Sequence, residues 1–123
     1  MCSTARAYVE LILIDLYLLR HDFAALHTCI RNCPVNNTAP VPGTEEAVCA
    51  SVDRASIWYL KEVLCLQRSA AAVRLLRKHG IPAHMVIGAQ GMPFRAHAWA
   101  EVNGRVVNDR PYMTEIYSVL DRC

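Results

Sequence analysis

A chain of 123 residues, 54% hydrophobic and 20% charged, has the composition of one folded domain and excludes an intrinsically disordered one. Its net charge of +2 is too small to make nucleic acid the main partner. The six cysteines (Cys2, Cys29, Cys33, Cys49, Cys65 and Cys123) are an even number that invites a disulfide framework. They lack the dense spacing of a secreted scaffold, however, and a chain of this length buries a core without staples.

Residues 5 to about 30 read as a helix, nearly continuously apolar, with Glu10, Asp15, Arg20 and Asp22 as the polar exceptions. Such a helix needs cover on more than one side, from the core or from a partner, and core packing is the plainer account. Residues 11–19 are the most apolar stretch, but a membrane span needs about 20 such residues. Glu10 and Asp15 interrupt this one and Arg20-His21-Asp22 ends it. Asp15 also spoils it as a signal peptide, and no small-x-small cleavage site follows. The chain therefore reads as soluble and cytoplasmic, with reduced thiols and no membrane partner.

Residues 32–43 hold three prolines, three asparagines and a glycine with no period, which is a linker. They divide the chain into an apolar N-terminal arm with its linker, 1–43, and a core, 44–123. Thr44 reads as the N-cap of a helix with acids in its first turn, running to about Tyr59 and closing on Ile57, Trp58, Tyr59 and Leu60. A second core helix starts near Cys65 and ends at Gly80. Leu66, Ser69, Ala72, Val73 and Leu76 lie on one face, and Arg68, Arg74, Arg77 and Lys78 lie mostly elsewhere. After Pro82 the period changes to two, predicting strands over 83–89, 94–102 and 105–109. Asn103-Gly104 is a two-residue hairpin turn between the last two. The tail from Pro111 to Cys123 is amphipathic without a clear period. Helices followed by a small antiparallel sheet make an α+β fold.

Two residues point to chemistry. Cys65 stands at a helix N-terminus, where unpaired N–H groups and the helix dipole favour a thiolate and can hold an oxyanion. Alone it is as well explained as an inert packing thiol. His97 lies on a strand whose alanines fill one face while Arg95, His97, Trp99 and Glu101 occupy the other. A cysteine thiolate with a histidine base is the usual pair for acyl transfer. A third group should accept a hydrogen bond from the histidine, and Asn108 and Asp109 are the candidates. A simple two-residue turn pairs Val102 with Arg105 and Trp99 with Asn108, which puts Asn108 on the His97 face and Asp109 on the other. Asp109 reaches His97 only through a register shift or if the strand ends before it.

These residues resemble a known family. Cys65-Leu66-Gln67-Arg68-Ser69, then Arg77-Lys78-His79-Gly80-Ile81-Pro82-Ala83, then Ile87-Gly88, Pro93 to Val102 and Gly104 to Asp109 look like the lasso peptide biosynthesis B2 proteins. These are leader peptidases with a transglutaminase-like, papain-related fold, and the resemblance spans about residues 44–109. It implies Cys65 as nucleophile, His97 as general base and acid, and Asp109 as the orienting carboxylate. It also implies Trp99 shielding the site or lining its cleft, and no metal or organic cofactor; Gln67 and Arg68 stand either behind the site or on the solvent face of their helix, and the residues favour neither. The implied substrate is the leader of a ribosomal precursor, gripped by a separate B1 protein, with an ATP-dependent cyclase acting next. The short chain matches the split form without a recognition domain of its own, and its apolar arm is then a docking surface for B1 or the leader.

Three other readings compete. His27, Cys29, Cys33 and Cys49 are ligand-type residues, but no second pair completes a zinc site, so a metal-binding interaction module is poorly supported. The same triad serves transglutaminases and arylamine N-acetyltransferases, in which an amine takes the acyl group. A non-catalytic module that keeps the fold is the last, and an intact triad speaks against it.

Overall fold

The computed structural model describes residues 3–59, 64–91 and 94–123, so Cys2, Leu60 and Pro93 of the sequence reading lie outside the described residues. Its elements are α1 (Thr4–Arg20), α2 (Phe23–Arg31), α3 (Thr44–Ile57), α4 (Cys65–Lys78), β1 (Ala83–Gly91), β2 (Phe94–Val102), β3 (Arg105–Val106), α5 (Met113–Ile116) and β4 (Ser118–Arg122). The strands form one antiparallel sheet in the order β3-β2-β1-β4. This is the expected α+β arrangement, with helices first and a small antiparallel sheet after them.

The single helix expected over 5–30 is two. Asp22 takes extended backbone after Arg20 and its Oδ1 accepts from the Ala25 N–H at 2.9 Å, starting α2 afresh. Apolar periodicity continues through this break, which is why periodicity alone misses it. Ala7, Leu11 and Ile14 of α1 share one core cluster with Val48 and Val52 of α3 and with Leu75 and Leu76 of α4. Each fully buried Leu, Ile or Val contributes about 1.5–3 kcal/mol there. Glu10 is buried with them and is held by Arg74 and, at 3.1 Å, by Lys78 Nζ, so its charge is paired rather than solvated.

At the far end of α4 the expected glycine stop is present. Gly80 N–H donates to Arg77 O and Ile81 N–H to Leu76 O, closing the helix around a positive φ of 84° at Gly80. A Cβ at Gly80 would lie 1.9 Å from the Thr38 carbonyl oxygen, because the 32–43 segment crosses this end of α4. Arg77 departs from its expected polar position. It is buried, and its guanidinium donates to Ala83 O at 2.9 Å, Cys33 O at 3.1 Å, Cys123 O at 2.7 Å and Ile30 O. Three separate stretches of chain converge there, and only a cation with a fork of donors satisfies their four carbonyl oxygens together. The α3 cap is Gly43, with φ 85°, rather than Thr44, whose hydroxyl donates to Val41 O at 2.6 Å.

Asn103 and Gly104, with φ of 52° and 78°, make the expected tight turn, and Val102 pairs with Arg105. The third strand stops at Val106 instead of running to 109. The uncertain tail becomes α5 and β4, and β4 pairs with β1 across a bulge between Ile87 and Gly88. Ala100 and Val102 face α4 in the main core, while Trp99 joins Val86 and Met113 on the opposite face of the sheet.

Candidate active site

Cys65 is the first residue of α4 and is partly buried. Its N-cap, Leu64, makes no side-chain hydrogen bond to the first-turn N–H groups. A helix start left uncapped in this way is chemically suited to an anion or a developing oxyanion.

His97 sits on β2, opposite Gly88 of β1. Its Nε2 hydrogen-bonds Asp109 Oδ2 at 2.6 Å, so the ring position left for a second proton partner is Nδ1. Asp109 is fixed in turn: its Oδ1 accepts from the Arg110 N–H at 2.8 Å, and Arg68 Nη2 lies 3.8 Å from Oδ2. The His97 ring stacks on Tyr117, with centroids 5.3 Å apart and planes 19° apart, and lies 6.1 Å from Trp99. Trp99 is completely buried, so it backs the histidine from inside and does not line an open cleft. Its Nε1 donates to Glu101 Oε2 at 2.9 Å, and Glu101 Oε1 receives Arg122 Nε at 3.2 Å. Gly88 makes the stack possible, since a Cβ there would meet Trp99 ring atoms at 2.6 and 2.8 Å and Tyr117 Cβ at 2.8 Å.

The structure separates the two candidate orienters. Asn108 does not face His97. Its Oδ1 accepts from Ala100 N–H at 2.7 Å and its Nδ2 donates to Ser69 Oγ, which itself donates to Ala98 O at 3.0 Å. Because the ladder ends at Val106, side-chain alternation no longer governs Asp109, and Asp109 is the residue beside His97. Gln67 Oε1 is buried with no hydrogen-bond partner among the described residues. A cleft of about 530 Å³ opens at Asp109, which lines it together with Asp53, Ser56, Ile57, Arg68, Asn108 and Arg110.

Sequence reading did not single out Tyr117, and took Gly88 only as part of the Ile87-Gly88 motif without a role. Tyr117 lies in a tail without a legible period, and Gly88 looks like an ordinary strand glycine until the two rings are placed against it. Arg68 was visible only as a helix residue, behind the site or facing solvent, although its three-residue spacing from Cys65 puts both on one side of α4.

The ligand-type residues near the N-terminus disperse. His27 Nε2 pairs with Asp121 at 2.9 Å, while Cys29 receives Arg74 Nη1. Among the described residues no group of three or more His, Cys, Asp or Glu side chains could hold a metal ion. Cys29, Cys33, Cys49, Cys65 and Cys123 are free thiols. Cys49 is buried, and burial together with Asp53, Glu45 and Glu46 pushes its thiol up to about 12, which makes it a poor nucleophile. No helix among the described residues is long and apolar enough to cross a membrane.

A helix-borne cysteine ahead of a strand-borne histidine with its carboxylate is the layout of a transglutaminase-like domain, and the family description matching residues 11–122 is that of the Transglutaminase-like superfamily. The chain belongs to that superfamily. It is also similar to the microcin J25-processing protein McjB of Escherichia coli, 46% identical over 56 residues, a stretch that is 46% of this chain and 27% of McjB. Both findings agree with the resemblance to lasso peptide B2 proteins drawn from the motifs. No solved structure matches the chain.

Proposed function

We propose that the protein is a cysteine endopeptidase that removes the leader from a lasso peptide precursor, with Cys65, His97 and Asp109 as its catalytic residues. The observation that carries this reading is the 2.6 Å contact between His97 and Asp109, on a chain whose α4 begins with Cys65. Membership of the transglutaminase-like superfamily and similarity to a microcin-processing protein support it.

In this mechanism His97 takes the thiol proton at Nδ1 while Asp109 holds Nε2–H and fixes the tautomer. The Cys65 sulfur attacks the carbonyl at the leader–core junction. The N–H groups at the start of α4 stabilise the oxyanion. The imidazolium gives its proton to the leaving core amine, and a water deprotonated by His97 then releases the leader from the thioester. The partners of this reading are the precursor leader and a separate B1 recognition protein, with a cyclase to receive the freed amine. Its setting is the bacterial cytoplasm.

The test is incubation of the protein with a lasso precursor and its B1 partner, beside Cys65→Ala, with products weighed by mass spectrometry. A free leader from the native protein and none from the variant is the expected result. Cleavage by both would remove Cys65 from the mechanism. A leader joined to an added amine instead of water would make the protein an acyltransferase.

A further inference from the structure

Arg68 lies one turn beyond Cys65 on the same side of α4. Its Nη2 is 3.8 Å from Asp109 Oδ2, the oxygen that also takes His97. Its Nε is buried with no hydrogen-bond partner among the described residues, so that edge of the guanidinium is not tied down by a bond of its own. Among the described residues, the charged groups around it are Asp53 from α3, and Asp109 and Arg110 from the segment after β3, with His97 of β2 behind Asp109. Asp53 registers this arrangement: burial raises its carboxyl, the Arg68 charge lowers it and Asp109 raises it. One cation is thus shared between two carboxylates on different elements, and one of those carboxylates holds the histidine.

We propose that Arg68 acts on His97 through Asp109: by offsetting part of the Asp109 charge, it sets the pH range over which the His97 ring keeps its proton. This rests on the reading of His97 and Asp109 as active-site partners. The sign follows from electrostatics. A cation beside Asp109 weakens the carboxylate's hold on an imidazolium, so removing it lets the ring stay protonated to higher pH. If Arg68 served only to tie α4 to the segment after β3, its loss would free Asp109 from the ring and move the midpoint down instead of up.

The experiment is the NMR titration of the His97 ring, assigned with His97→Ala, in the native protein and in R68Q, R68K and D53N. R68Q should move the midpoint up by about half a pH unit, a fraction of what a charge in direct contact produces. R68K, which keeps the charge, should return it toward the native value. D53N removes the guanidinium's second counter-charge and should move the midpoint down, which keeps the proposal testable if R68Q does not fold. An unmoved midpoint in R68Q and D53N, or equal shifts in R68Q and R68K, would overturn it. The titration needs no substrate, so failure of the native protein to cleave a precursor would sink the peptidase reading and leave this result standing.

Discussion

Asn108 takes the Ala100 N–H on its side-chain oxygen at 2.7 Å, in the place where the Val107 carbonyl would continue the β2–β3 ladder. The opposite half of that pair is intact, with Val107 N–H donating to Ala100 O at 3.0 Å. The side chain thus replaces one backbone acceptor, the strand ends without orphaning Ala100, and the next residue is freed to turn toward His97. Asn108→Ala should leave a partly buried N–H unsatisfied and cut the link to Ser69. We expect a loss of about 1–3 kcal/mol in urea unfolding. Leader cleavage should fall further than stability explains, because Asp109 loses its support. Native cleavage by a folded Asn108→Ala would show that Asp109 is placed by other contacts.

The histidine also depends on what lies behind it. Gly88→Ala would put a methyl group within 2.6–2.8 Å of Trp99 and Tyr117 atoms, and Tyr117 is the ring on which His97 stacks. The expected cost is about 1–3 kcal/mol, the usual range for overpacking. The near-ultraviolet circular dichroism of the aromatic cluster should change with it. A thermal midpoint and aromatic spectrum equal to the native ones would mean that the sheet gives way easily at this point.

How much of this was legible in the sequence depends on whether the signal was local. The C-terminal end of α4 was legible because Gly80 and Pro82 stop a helix by their own backbone chemistry, and Asn103-Gly104 set the hairpin register for the same reason. The two candidate orienters could not be separated by counting, since a single side-chain hydrogen bond from Asn108 decides where alternation stops. The buried Arg77 was hidden because its acceptors, Ile30, Cys33, Ala83 and Cys123, are spread over the chain. The strand Ser118–Arg122 was hidden because its pattern takes meaning only from its β1 neighbour.

Cys49 gives a pH dependence of defined sign. Its thiol is raised in the folded protein from 9.0 to about 12, chiefly by burial, so the folded state keeps a proton that the unfolded chain loses above pH 9. The stabilisation it provides is full below pH 9 and is lost as pH rises toward 12. Native stability should therefore fall more steeply than that of Cys49→Ala across this window, by at most about 1.4 kcal/mol per pH unit. At pH 8 the native Cys49 should carry about a thousandth of the thiolate of an ordinary cysteine and resist iodoacetamide until the protein is unfolded. Alkylation of Cys49 at the rate of a free thiol in native protein would contradict its burial.

Arg77 tests whether the two ends of α4 are separable. Cys65 begins the helix and Arg77 lies in its last turn, where it satisfies four main-chain oxygens at once. Arg77→Met fills similar space but strands those acceptors, so urea unfolding should show a loss of at least about 3 kcal/mol. Arg77→Lys should recover only part of it, because three donors on one nitrogen cannot span the fork that reaches Ala83 on one side and Cys33 on the other. None of these four oxygens belongs to His97, Asp109 or a residue bonded to them, so leader cleavage per folded molecule should stay on the order of the native rate, as expected for independent sites. A collapse of cleavage in the folded fraction of Arg77→Lys would mean instead that the anchored end of α4 holds Cys65 in place, and that the helix passes strain along its whole length.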